Sequence, residues 1–263
     1  MVSEVMKIQC YILLPFLFSG FFSEAQTCLK RKAVTQVLIL PPTGGANVAD
    51  RFLFKTLCQR GHQVTILDYE QKSGLTDDLG IHDRLSQDIL HQINQFLRLK
   101  EMPTVLIGSS LGGLYASTAY AYALTDQTEF ESLKWIRGIV LTAAGGSLAE
   151  ILSTSNQEDV IKQRSLRFQN LQIEKRSHYL SMLNQNIFYD PMKWASPLVR
   201  SNVLMFNSTN DKVVPSATQE KLWRAWGKPK VIRISKNHLL TIAKVYFFEA
   251  NRIDHFLRKT FLE

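Results

Sequence analysis

Cysteine is scarce in this 263-residue chain: three residues, at positions 10, 28 and 58. Cys10 falls inside an apolar N-terminal run, so at most one bridge is left and no disulfide framework can carry the fold. Dense blocks of Lys and Arg interleaved with aromatics are missing, which argues against nucleic acid as a partner. No His, Cys or Asp cluster has metal-ligand spacing. Internal repeats, low-complexity tracts and inter-domain linkers are also absent, and one α/β domain is the natural expectation at this length. An uninterrupted apolar stretch of about 20 residues, as a bilayer-spanning helix needs, is missing too.

What is there reads first as an ordinary globular protein, with 45% hydrophobic and 21% charged residues. Lys and Arg number 31 against 23 Asp and Glu, a formal charge of +8. Such a surface aids solubility and would suit peripheral contact with an anionic surface such as lipid headgroups. At the N-terminus, Lys7 precedes an apolar run from Ile8 to Phe22, and Ser23-Glu24-Ala25 resembles a small-x-small cleavage site. Residues 1–25 are therefore expected to be a secretory signal, making the protein periplasmic or secreted. An uncleaved membrane anchor or a buried first strand are the other readings. Export would permit a Cys28–Cys58 disulfide, and two buried thiols are equally compatible.

Hydrophobic periodicity organises the remainder. Val34–Leu40, Gln63–Tyr69, Thr104–Ile107, Ile136–Thr142, Val203–Phe206 and Val231–Ile234 read as strands. Helical spacing covers 48–60, 81–99, the run from Leu114 to about Leu124, 218–226 and a terminal helix over 242–262. Alternation of this kind predicts a mostly parallel, doubly wound sheet with helices on both faces. From about 145 to 190 the alternation lapses into a charged helical stretch. That segment is expected to be an insertion lying over the strand ends as a cap or lid, the alternative being a plain crossover.

The chemistry concentrates at Gly108-Ser109-Ser110-Leu111-Gly112, between an apolar strand and a small-residue helix. A G-x-S-x-G in that setting is a nucleophile elbow, a turn so sharp that positions two before and two after the serine cannot carry bulk. Gly108 and Gly112 meet that demand for Ser110. Ser109 does not, because Ile107 and Leu111 flank it. Asp211, in a polar turn after a strand, is the acid candidate, with Asp190 as substitute. His238, again just past a strand, is the base candidate. The other five histidines, at 62, 82, 91, 178 and 255, read as structural or solvated. Asn207-Ser208-Thr209 matches a glycosylation acceptor but sits beside Asp211, so it is read as unused.

With these residues in place, the chain resembles the α/β-hydrolase superfamily over nearly all of residues 34–262. The order Ser110, Asp211, His238 is similar to that fold's order of nucleophile, acid and base. The resemblance implies attack by Ser110 on an acyl carbonyl, proton transfer through His238, and an imidazole held by Asp211. It also implies an oxyanion hole from the Leu111 N–H and a second N–H after the first core strand. There the chain departs from the family: Pro41-Pro42 stands where many members have His-Gly, and proline offers no N–H. Thr43 is then the expected donor, with Gly44 as fallback.

The leading expectation is a serine hydrolase acting on a small-molecule or lipid carboxylic ester, without cofactor. A thioesterase or acyltransferase using the same three residues, and a catalytically silent binding protein on a hydrolase scaffold, are the alternatives. A prolyl-oligopeptidase-like peptidase shares the residue order, but its β-propeller cannot fit the available length.

Overall fold

The computed structural model describes residues 27–28, 35–69, 75–125 and 128–262. The expected leader, residues 1–25, lies outside the described residues, as does the Cys28 side chain. Seven strands form one sheet: β1 (Thr27–Cys28), β2 (Gln36–Leu40), β3 (Gln63–Ile66), β4 (Thr104–Ser109), β5 (Ile136–Thr142), β6 (Val203–Ser208) and β7 (Lys230–Ile234). Their spatial order is β1-β3-β2-β4-β5-β6-β7. β2 to β7 run parallel, and the two-residue β1 joins the β3 edge antiparallel, Thr27 opposite Thr65.

The central strands read as continuous apolar runs because both of their faces are covered. Alternate residues of β2 divide between two cores. Val37 and Ile39 face one side with Val105, Ile107, Leu204 and Phe206, while Leu38 and Leu40 face the other with Leu106, Leu141 and Met205. The first side is closed by α1 (Val48–Gln59), α8 (His238–Phe248) and α9 (Ala250–Leu262). The second is closed by α2 (Ile81–Lys100), α3 (Leu111–Ala123) and α7 (Ser216–Ala225). Helix α3 is buried along most of its length, which its Gly, Ala and Ser residues allow by letting it sit close to β4 and β5.

Local chemistry sets the boundaries. Asn47 caps α1 through its side chain, and Asp50 returns a carboxylate to the Asn47 N–H at 2.9 Å, a reciprocal capping box. The single terminal helix expected over 242–262 is two helices. Asn237 starts α8 four residues earlier by accepting from the Leu240 N–H at 3.0 Å, and the chain breaks at Glu249. The break re-aims the chain so that α9 can bury Ile253 and Leu257. Between β5 and β6 lie α4 (Leu148–Thr154), α5 (Glu158–Asn170) and α6 (Arg176–Asn186), helical as expected.

Candidate active site

The strand β4 ends at Ser109, and α3 begins at Leu111. Ser110 alone makes the turn, at φ 53° and ψ −121°. A non-glycine residue there costs on the order of 1–3 kcal/mol, so the surroundings must hold it. Its N–H donates to the Thr142 carbonyl at 2.9 Å, and its own carbonyl accepts from Leu114 at 3.1 Å. The flanking glycines are required by contact. A Cβ on Gly108 would overlap the Gly112 backbone, and one on Gly112 would overlap the Leu40 and Pro41 carbonyls. That second approach presses the end of β2 against the first turn of α3.

Three side chains then meet above the strand ends. The Ser110 Oγ lies 2.9 Å from His238 Nε2, and His238 Nδ1 lies 2.7 Å from Asp211 Oδ2. Ser110, His238 and Asp211 are 8%, 7% and 5% exposed, so water competes little for these bonds. Asp211 is an acceptor only, which puts the proton of a neutral imidazole on Nδ1 and leaves the Nε2 lone pair for the Ser110 hydroxyl. The other Asp211 oxygen accepts from the Val213 and Val214 N–H groups, both at 2.9 Å. Its turn-capping role and its contact with His238 therefore coexist. Gln219, absent from the sequence reading, donates to Asp211 Oδ2 at 3.0 Å and to the Val214 carbonyl at 2.8 Å.

The substitute acid is elsewhere employed. Asp190 accepts from the N–H groups of Ser147, Leu148 and Met192, fixing the start of α4. Burial pushes its carboxyl above the usual range, against those three bonds. His62 is fully buried with Nε2 2.7 Å from Asp254, and His91 packs edge-on against Phe130. Asn207 is 2% exposed and its amide points to Glu220 at 3.4 Å, a setting with no room for a glycan.

Ser110 and Leu111 open into a cavity of about 680 Å³. Its near wall is the Thr43-Gly44-Gly45 turn, so both expected oxyanion donors, Leu111 and Thr43, border the space in front of Ser110. The Tyr69 hydroxyl donates to the Pro41 carbonyl and fixes the start of that turn. Leu114, Leu148, Ile151, Leu152 and Val160 make the body of the cavity apolar. His82 also lines it, backed by the guanidinium of the fully buried Arg167 at 3.4 Å. Burial, then Arg167, depress the His82 imidazole to about 4, keeping it neutral in ordinary buffers. Among the described residues no group of His, Cys, Asp and Glu is arranged to hold a metal ion.

No family model and no curated protein sequence matches this chain. Solved structures do. TT1662 from Thermus thermophilus is 16% identical with a TM-score of 0.58, over 91% of this chain and 99% of that one. The esterase domain of a Rhodothermus marinus protein is 17% identical with a TM-score of 0.57, over 89% and 91%. The esterase EaEST from Exiguobacterium antarcticum is 15% identical with a TM-score of 0.52, over 91% and 94%. This chain has the α/β-hydrolase fold. In that fold the ends of different strands supply the elbow serine, the acid and the histidine. Here Ser110, Asp211 and His238 follow the ends of β4, β6 and β7. The expected parallel sheet flanked by helices is thus observed, with the short antiparallel β1 edge added.

Proposed function

We propose that the protein is a serine hydrolase that cleaves a carboxylic ester through an acyl-enzyme. The observation that carries this reading is the 2.9 Å contact between the elbow serine Oγ and an imidazole whose far nitrogen is held by a buried carboxylate. Ser110 attacks the acyl carbonyl while its proton passes to His238 Nε2. The Ser110 Oγ–carbon bond forms, and the charge gathers on the carbonyl oxygen. That oxyanion is taken by the Leu111 N–H at the head of α3 and by the Thr43 N–H. On collapse, the carbon–alkoxide bond breaks and His238 protonates the leaving alcohol. Water, deprotonated by His238, then releases the acid and restores Ser110.

The cavity supports an acyl chain as the bound part. Its leucine, isoleucine and valine walls remove apolar surface from water, and helices α4 and α5 supply much of them. The 145–190 segment is on this reading the cap that shapes the acyl site. Two of the structural neighbours are esterases, which supports the same class of substrate.

The test is direct. Purified protein is treated with a fluorophosphonate probe and with p-nitrophenyl esters of increasing chain length. Labelling and turnover are expected, and Ser110→Ala is expected to abolish the first and lower the second by about 10⁴-fold or more. An unlabelled, inactive wild type would leave a binding protein on a hydrolase scaffold. Transfer to added alcohol in preference to water would mark an acyltransferase.

A further inference from the structure

Helix α8 is a surface helix without a polar face. Its inward side buries His238, Thr241, Ile242, Val245 and Tyr246. Its outward side carries Leu239 at 75%, Leu240 at 54% and Phe248 at 77% exposure, with Ala243 and Phe247 part-buried between them. A globular protein ordinarily turns charged or polar side chains outward at these positions. Here Lys244 is the helix's sole charged residue. The first two turns of α1 extend the apolar face. Val48 is 75% and Phe52 41% exposed, and the Phe52 ring lies 4.8 Å from the Phe247 ring.

Charge separates the occupants this face could take. Around it stand Arg51, Lys55, Lys236 and Lys244, all exposed. The only carboxylate on α1 or α8, that of Asp50, is fully buried. A second copy docking symmetrically would bring these like charges together, because such an interface pairs a patch with itself. An anionic bilayer meets both requirements, since apolar side chains enter the acyl boundary while Lys and Arg stay at the headgroups.

We propose that the outward face of α8, with the first two turns of α1, docks on an anionic lipid surface. Both helices start close to residues that line the cavity. His238, on Ser110, opens α8, and α1 begins three residues after the cavity-lining Gly45. Docking through this face sets the rim beside the lipid, so that an ester leaving the bilayer enters the cavity without crossing bulk water. The inference goes beyond ester cleavage, and its test reads no turnover.

The full chain carrying Ser110→Ala, which cannot consume lipid, is sedimented with vesicles of equal phosphatidylglycerol and phosphatidylcholine, and with phosphatidylcholine alone. Binding is expected to the first, weakening as salt is raised. Leu240→Asp with Phe248→Asp is expected to weaken it at least about tenfold. Lys55→Glu with Lys244→Glu should cost about fivefold per residue. All four positions are exposed, and circular dichroism confirms folding of each variant. Binding of the Ser110→Ala chain that fails to appear, or that survives both pairs of changes through the N-terminal apolar run or another surface, overturns the proposal. A concentration-dependent dimer, seen by ultracentrifugation and abolished by the Asp pair, assigns the face to a second copy instead and also overturns it.

Discussion

The Gln219 side-chain amide reaches the Asp211 carboxylate at 3.0 Å, on the same oxygen that faces His238 Nδ1 at 2.7 Å. Gln219 is fully buried, and its own carbonyl accepts from the Ser208 N–H at 2.9 Å. One residue therefore ties the end of β6 to the acid and holds that acid where the imidazole needs it. Gln219→Leu keeps the volume but leaves a buried N–H without an acceptor, which costs about 1–3 kcal/mol. Urea unfolding is expected to show that loss. Turnover of p-nitrophenyl esters should fall in kcat with KM little changed, because the substrate does not touch Gln219. Unaltered kcat would remove Gln219 from the positioning of Asp211.

Two glycines of the site should respond differently to the same added methyl group. At Gly112 a Cβ overlaps the Leu40 and Pro41 backbone, which can move only by displacing β2. Gly112→Ala is expected to be among the most damaging single changes, at about 4 kcal/mol or more. Gly44 sits at φ +93° with nothing within 4 Å of a built Cβ. Gly44→Ala is therefore penalised by backbone conformation alone, by about 1–2 kcal/mol. Thermal melts of the two variants decide the comparison.

Much of this was legible because it is local. The steric rule of the elbow selects Ser110 from a pentapeptide, and strands buried on both faces announce themselves as apolar runs. β5 matches its expected span, Ile136–Thr142. What stayed hidden needs the third dimension. Nothing within a few residues of Gln219 marks it as the partner of Asp211, since the pairing follows from how α7 packs on β6. The break at Glu249 has no Gly or Pro to signal it, and depends on the different burial directions of α8 and α9. In the sequence His82 is an ordinary helix residue. Its place on the cavity wall, beside Arg167, involves residues far along the chain.

Asp50 provides a pH test. The carboxyl is fully buried, and burial pushes it up to about 6, against the backbone hydrogen bonds that favour the charged form. Its Oδ1 has no hydrogen-bond partner, and the buried Tyr246 hydroxyl is pushed up first by burial and then by Asp50. With the folded value above the unfolded one, the native state binds the proton more tightly. The resulting stability is complete below pH 4 and is lost as pH rises to about 6, by on the order of 3 kcal/mol at most. Asp50→Asn removes the titration. Unfolding free energies measured from pH 4 to 7 should fall less steeply in this variant than in the wild type, and identical slopes would exclude the assignment.

Arg167 is one of the contacts that tie the α4–α6 segment to the body of the protein, beside the Gln163 bond to the Thr76 carbonyl and the Lys221–Glu150 pair. It is 0% exposed and donates to the Thr76 carbonyl at 3.1 Å, the Asp78 carbonyl at 2.7 Å and the Tyr179 hydroxyl at 3.0 Å. Among the described residues it has no carboxylate partner within salt-bridge distance. Its buried charge is balanced by carbonyl dipoles in a fork that a lysine ammonium cannot reproduce. Arg167→Ala strands those acceptors and empties a large buried volume, a loss of about 2–4 kcal/mol. Arg167→Lys should recover less than half of it. The damage should also be regional, because Thr76 and Asp78 precede α2 while Tyr179 lies on α6. Limited proteolysis is expected to cut Arg167→Ala first between residues 145 and 190, before the sheet unfolds. Cleavage there at the wild-type rate would mean that the segment is anchored by its apolar contacts and that the buried guanidinium is dispensable.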